Sequence, residues 1–124
     1  MSSSVQKGRY FEQVAASYLA KQGLKIFHRN YRCRYGEIDL IARDFDTVCF
    51  VEVRSRESAS FMSPLDSITA TKQSRLIRTA QHYLQRSAYA GPCRFDLVLV
   101  VSGRSQSCVE WLRDAFQAAG NFVS

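Results

Sequence analysis

Gly36-Glu37-Ile38-Asp39-Leu40-Ile41-Ala42-Arg43-Asp44-Phe45-Asp46-Thr47-Val48-Cys49-Phe50-Val51-Glu52-Val53-Arg54 is the stretch on which the fold turns. Its halves, Glu37 to Arg43 and Thr47 to Arg54, are rich in Ile, Val and Phe and flank Asp44-Phe45-Asp46, the pattern of a β-hairpin. A turn centred between Phe45 and Asp46 sets Asp39 opposite Glu52 and Glu37 opposite Arg54. In that register Ile38, Leu40, Ala42, Cys49, Val51 and Val53 make one wholly apolar face, whereas a slip of one residue would mix charge into it. The other face carries Ile41 and Phe50, with Glu37, Asp39, Glu52 and Arg54 gathered toward its open end.

Upstream of the hairpin, Phe11, Val14, Ala15, Tyr18 and Leu19 recur at helical spacing between a Ser3/Gln6 capping box and Gly23, which predicts a first helix. Leu24 to Arg34 reads as a strand ending at the Tyr35-Gly36 turn. Downstream, Glu57 to Ser67 is a Ser-rich loop in which Ser63-Pro64-Leu65-Asp66 starts one short helical turn. Leu76, Ile77, Ala80, Tyr83 and Leu84 define a second amphipathic helix over Thr69 to Gln85. Arg94 to Val101 is a mostly apolar strand, Gly103 to Ser107 a turn, and the spacing of Val109, Leu112 and Phe116 predicts a short last helix. Helix, three strands, helix, strand, helix describes an α/β or α+β fold with a mixed central sheet flanked by helices.

A chain of 124 residues suits one domain, here spanning 1–124, and 46% hydrophobic content fills its core and excludes disorder. No run approaches the ~20 apolar residues of a membrane span. Met1 to Lys7 lack the apolar middle of a signal peptide, so a cytoplasmic protein with no membrane association is expected. Seventeen Lys and Arg, thirteen of them Arg, against 11 Asp and Glu leave a net charge of +6 that attracts polyanions, nucleic acid first. The guanidinium fork, which grips phosphate oxygens in pairs, suits that partner. Cys33, Cys49, Cys93 and Cys108 are irregularly spaced, with only His28 and His82 as companions. They match neither a zinc site nor a disulfide framework, and read as reduced, small apolar fillers.

Opposed side chains on paired strands stand about 5 Å apart at Cβ. At an effective dielectric near 20, two ionised carboxylates at that spacing repel by roughly 3 kcal/mol, a large part of a total stability of ~5–15 kcal/mol. Three remedies are open for Asp39 and Glu52: one holds a proton, Arg54 and neighbouring bases neutralise the pair, or a divalent cation bridges them. The second amounts to an ion network of Glu37, Asp39, Glu52, Arg54 and Arg56. In the third, ligands that are all oxygen favour Mg²⁺ or Mn²⁺. Such a cation under a basic surface is equipped for phosphodiester hydrolysis.

Arg29-Asn30-Tyr31-Arg32, Gly36-Glu37-Ile38-Asp39-Leu40-Ile41-Ala42, Phe50-Val51-Glu52-Val53-Arg54-Ser55-Arg56 and Arg94-Phe95-Asp96 together resemble the YraN-like family of uncharacterised bacterial proteins, from about Gly8 to Phe116. That family is similar to archaeal Holliday junction resolvases within the PD-(D/E)xK superfamily of nucleases. The resemblance implies a restriction-endonuclease-like fold and a DNA nuclease dependent on Mg²⁺ or Mn²⁺, with branched or damaged DNA among its substrates. A homodimer follows by analogy only. On the matching positions, Asp39 falls on the metal-binding aspartate and Glu52 on the acidic residue of the (D/E)xK element. Glu12 falls where resolvase-like members carry a further acid, and Gln73 resembles a glutamine used near the reactive phosphate. Arg54 stands in place of the motif lysine, a departure, because arginine cannot act as a general base. It can orient water or stabilise the transition state.

Read from its neighbours alone, Glu12 lies on the border of the apolar stripe of the first helix, where a solvated residue is commoner than a ligand. On the second helix Lys72, Arg75, Thr79, His82 and Arg86 step by three or four into one stripe opposite the core, without an acid. It reads either as a solvated face or as an edge that contacts phosphates. The candidate catalytic residues are therefore Asp39, Glu52, Arg54 and Glu12, with Asp39 and Glu52 as metal ligands. The candidate nucleic-acid contacts are Arg56, Lys72, Gln73 and Arg75. Two other classes stay open: a binding module that keeps the nuclease fold without the reaction, and a basic protein-interaction domain whose carboxylates form an ion network only.

Overall fold

The computed structural model describes residues 3–57, 63–102 and 107–118. Helix α1 (Ser3–Lys21) leads into strands β1 (Lys25–Cys33), β2 (Gly36–Asp44) and β3 (Thr47–Glu57). A 3-10 turn (Pro64–Ser67) and helix α2 (Ala70–Ser87) then connect to β4 (Cys93–Ser102) and β5 (Ser107–Phe116). The five strands form one sheet in chain order, with β3 and β4 parallel and the other neighbours antiparallel. α2 is the crossover that a parallel pair requires. The result is the expected α+β mixed sheet with helices on both faces.

Local chemistry sets the boundaries. Gly23, at φ +98°, ends α1, and the Leu24 amide donates to the Leu19 carbonyl at 3.0 Å. The side chain of Thr69 accepts from the Lys72 amide at 3.2 Å and caps α2. Ala15, Ala16 and Leu19 of α1 pack on Leu40, Ala42, Cys49, Val51 and Val98. On the opposite face Leu76, Ala80 and Leu84 of α2 pack on Ile41, Phe50, Phe95, Leu97 and Leu99. β4 serves both layers, which is why its sequence is a continuous apolar run rather than an alternation.

Two expectations are corrected. The last segment is a strand, not a helix. Val109 and Trp111 face the α1 layer while Leu112 and Phe116 face the α2 layer, so both sides of β5 are covered and no clean alternation remains. A bulge, with Asp114 at φ +53°, then separates Leu112, opposite Leu97, from Phe116, opposite Phe95, and yields a spacing that imitates a helix. Second, Ile38 belongs to the α2 layer, not to the α1 face with Leu40 and Ala42. Residues 58–62 of the Ser-rich loop, residues 103–106 of the last turn and the side chains of the Ser3/Gln6 box lie outside the described residues.

Candidate functional site

The displacement of Ile38 builds the site. β2 pairs with β3 in the expected register from Asp44↔Thr47 to Leu40↔Val51, and the ladder stops one residue short of Asp39 and Glu52. On the other side, β1 pairs Arg29 with Leu40 and Tyr31 with Ile38, while Asn30, between them, takes φ +54°. Asn tolerates that left-handed conformation better than most residues. The faces of both strands exchange across this point. Leu40 lies with α1, whereas Tyr31 and Ile38 lie with α2. Asp39 sits at the break.

There its Oδ2 accepts from the Val53 amide of β3 at 2.8 Å, and its carboxyl group hydrogen-bonds Glu52. Burial, the adjacent charge of Glu52 and that hydrogen bond push the Asp39 carboxyl up to about 8, the Val53 amide opposing them in part. Of the three remedies for the repulsion, a carboxyl raised in this way corresponds to a retained proton. Glu12, from α1, is also raised, by burial first and by Asp39 second, while a hydrogen bond to Asn30 pulls the other way. The left-handed Asn30 therefore links the strand break to the third acid. Arg54 approaches Glu52 at 3.8 Å.

Two cavities meet here. One, of about 400 Å³, is lined by Gly8, Phe11 and Glu12 of α1 together with Asp39, Val53, Arg54 and Ser55. The other, of about 310 Å³, carries Glu37, Asp39, Glu52 and Arg54 with Lys72 and Arg75 of α2. Asp39, Val53 and Arg54 line both. Asp39 is thus reached from the α1 side, beside Glu12, and both carboxyl groups from the α2 side, beside Lys72 and Arg75.

The remaining candidates are placed unequally. Lys72 and Arg75 line the cavity of the pair. Gln73 turns away, and its Nε2 donates to the Ile68 carbonyl at 3.2 Å, bracing the start of α2. Arg56 pairs with Glu110 of β5 at 3.4 Å, with a side chain 19% exposed. Glu37 pairs with Arg32 at 2.6 Å, not with Arg54. The stripe on α2 does not lie opposite the core: Thr79 is fully buried, and its hydroxyl donates to the Arg75 carbonyl at 2.7 Å. His82 meets the buried Tyr31 hydroxyl at 2.6 Å. The stripe faces the β1–β2 hairpin, where Gly36, at φ +151°, brings the backbone so near that an added Cβ would stand 3.3 Å from Thr79 Oγ1.

Asp96, quoted in the family motif without a role, is 1% exposed. It accepts from Arg94 Nε at 2.9 Å, Trp111 Nε1 at 3.0 Å and the Asp114 amide at 2.9 Å. It holds the β5 bulge and lines neither cavity of the carboxyl pair. Only the chain separation of Asp96 and Trp111 hides this role from the sequence. The four cysteines are free, and Cys49 alone is fully buried, with burial pushing its thiol up to about 12. Cys108 is exposed, contrary to a filler's place.

Among the described residues no three His, Cys, Asp or Glu side chains converge as a metal-holding group. Asp39 and Glu52 would offer a cation two carboxylates, a number that suits Mg²⁺, which keeps several waters and uses one or two carboxylates plus substrate phosphates. The donors fit that ion and not zinc. No helix among the described residues is long and apolar enough to cross a membrane.

The model of the uncharacterised protein family UPF0102 matches residues 11–100. A UPF0102 protein of Nitrosomonas europaea is 56% identical over 94% of this chain and 98% of its own length. One of Nitrosococcus oceani is 50% identical over 90% of this chain and 91% of its own. One of Pseudomonas aeruginosa is 45% identical over 94% and 96%.

Proposed function

The chain belongs to the UPF0102 family, and for it we propose a metal-dependent endonuclease-like activity on DNA, by phosphodiester hydrolysis, in the cytoplasm. One observation carries the reading: two carboxyl groups in hydrogen-bonding contact at a strand break, in a cavity whose other wall is Lys72 and Arg75. Two acids so placed are costly to the fold unless a positive ion takes the proton's place.

Asp39 and Glu52 would hold Mg²⁺ or Mn²⁺. When bound, the ion supplies Lewis acidity toward the phosphoryl oxygen and lowers the pKa of water. The Val53 amide fixes one Asp39 oxygen and leaves the other for coordination. Lys72 and Arg75 hold the phosphates of the strand, and Arg54 stabilises charge developing on the scissile phosphate. Glu12, raised by its surroundings, is suited to accept or donate a proton on the α1 side.

Calorimetric titration with Mn²⁺ and cleavage assays on branched and linear DNA test this reading. The wild type is expected to take up Mn²⁺ and cut, and Asp39→Asn to do neither. Metal uptake unchanged by the substitution would refute the assignment. A binding module without chemistry is the second reading, favoured by Arg54 in the position of the motif lysine. DNA affinity without cleavage in any divalent metal, for both wild type and Arg54→Lys, would select it.

A further inference from the structure

We propose that a third cavity, between the β1–β2 turn and α2, is a phosphate subsite for a nucleic-acid strand that runs from the carboxyl pair along α2. This rests on the DNA reading above and deepens it. The cavity, about 320 Å³, is lined by Arg34, Tyr35, Arg78, Gln81, His82 and Gln85. All six are able to donate hydrogen bonds and none is acidic, the chemistry of a site for an acceptor-only anion. No acid occurs between Asp66 and Asp96, so the whole of α2 adds only positive charge.

The lining is braced. Arg34 donates to the Tyr35 hydroxyl at 2.7 Å, and its guanidinium lies 4.8 Å from the Tyr35 ring centre. The Tyr31 hydroxyl meets His82 Nδ1 at 2.6 Å. With the hydroxyl as donor, Nε2 carries the ring proton and is left a donor. Arg32, Arg54, Arg56 and Arg94 each pair with a carboxylate, but no carboxylate of the described residues pairs with Arg34 or Arg78. Two unneutralised guanidinium groups lining one cavity gain most from a phosphate, which satisfies both.

Spacing decides between a small anion and a polymer. Arg75 lines the cavity of the carboxyl pair and Arg78, one turn on, lines this one. At about 1.5 Å per residue, Arg75 and Gln85 stand about 15 Å apart along α2. That is four to five steps of about 3.4 Å along a nucleic-acid strand. Arg78 is only about 4.5 Å beyond Arg75, so one phosphodiester step bridges the near edges, and only a substrate of several nucleotides fills both cavities out to Gln85.

The test is the salt dependence of binding to a labelled DNA duplex of two helical turns, with chelator present to prevent cleavage. For Arg34→Gln/Arg78→Gln, the slope of log affinity against log salt should become shallower by about 2 relative to wild type, and by about 1 for Arg34→Gln alone. Lys21→Gln/Lys25→Gln, which removes the same charge elsewhere, should change it by less. A dinucleotide, which reaches only the near edge of the cavity, should lose less affinity in the double variant than the duplex does, and Mn²⁺ uptake should stay unchanged. If the wild type binds the duplex and the double variant has the same slope, the subsite is overturned and the DNA reading stands. If the double variant loses affinity for the dinucleotide equally, the cavity takes small anions and the strand path is overturned. A wild type that binds no duplex overturns both.

Discussion

Replacing Asp39 by Asn should make the metal-free protein more stable at neutral and alkaline pH, and the gain should grow with pH. Folded Asp39 keeps its proton up to about 8, whereas an unfolded aspartate loses it near ~3.9. The folded state therefore binds more protons throughout that window. Its advantage is complete below the unfolded value and is lost as pH rises toward the folded one. Each pH unit within the window costs wild type about 1.4 kcal/mol, so from pH 5 to pH 8 the loss from this group is on the order of 4 kcal/mol. For a domain of this size that is roughly a 10–20 °C fall in Tm. An asparagine keeps the geometry: its carbonyl accepts from the Val53 amide as Asp39 Oδ2 does at 2.8 Å, and its amide donates toward Glu52. Thermal unfolding in chelator at several pH values, for wild type and Asp39→Asn side by side, reads the effect. Glu12, raised in part by Asp39, titrates in both proteins, so the difference between the two curves reports Asp39 together with its coupling to the neighbouring acids. Curves that fall in parallel would refute the reasoning.

Mn²⁺ uptake below pH 8 should release close to one proton per ion, seen as a dependence of the calorimetric heat on the ionisation enthalpy of the buffer; no such dependence would mean that the ion does not displace the Asp39 proton. Asp96→Ala should cost about 3–5 kcal/mol in urea unfolding, because Arg94 and the Trp111 and Asp114 N–H groups lose a buried acceptor. Gly36→Ala should cost about 1–3 kcal/mol, since its φ of +151° and the nearness of Thr79 leave no relaxed place for a methyl group. Thiol labelling of the native protein should modify Cys108 at once and spare Cys49 until unfolding.

The hairpin register was legible because every residue from Leu40 to Asp44 obeys the alternation that the sequence displays. What alternation cannot convey is a break in which two partners deviate together. Asn30 and Asp39 do so, leaving the pairing number intact on both sides while exchanging the faces. An Asn opposite an Asp beside an apolar run was the available cue, and it is a weak one. The β5 segment misled for a related reason, since coverage on both faces and a bulge erase the period of two. Helix spacing puts Thr79 on the surface, but the β1–β2 turn, remote in sequence, arrives over α2 at Gly36 and covers it. Asp39, Glu52, Lys72 and Arg75 do share a cavity, as the hairpin pattern and the helix spacing suggested, whereas Gln73 and Arg56 are drawn to backbone and to Glu110 by partners that no local pattern reveals.

The ion-network alternative can be weighed from the same geometry. A guanidinium that neutralised the pair would have to stand against Asp39, the acid whose carboxyl is raised by burial and by the charge of Glu52. Arg54 instead reaches Glu52, at 3.8 Å and with a third of its own side chain exposed to water, where Coulomb attraction is screened. Arg32 is committed to Glu37, and Arg56 has Glu110. One of the two arginines of the would-be network therefore serves an acid outside it, and the other reaches Glu52 rather than Asp39. A mobile divalent ion differs in that it can enter between the two carboxyl groups and act on both at once. On the proposed reading, the cost of an acid at this position, where asparagine would preserve the contact to the Val53 amide, is offset by the ion that binds its ionised form.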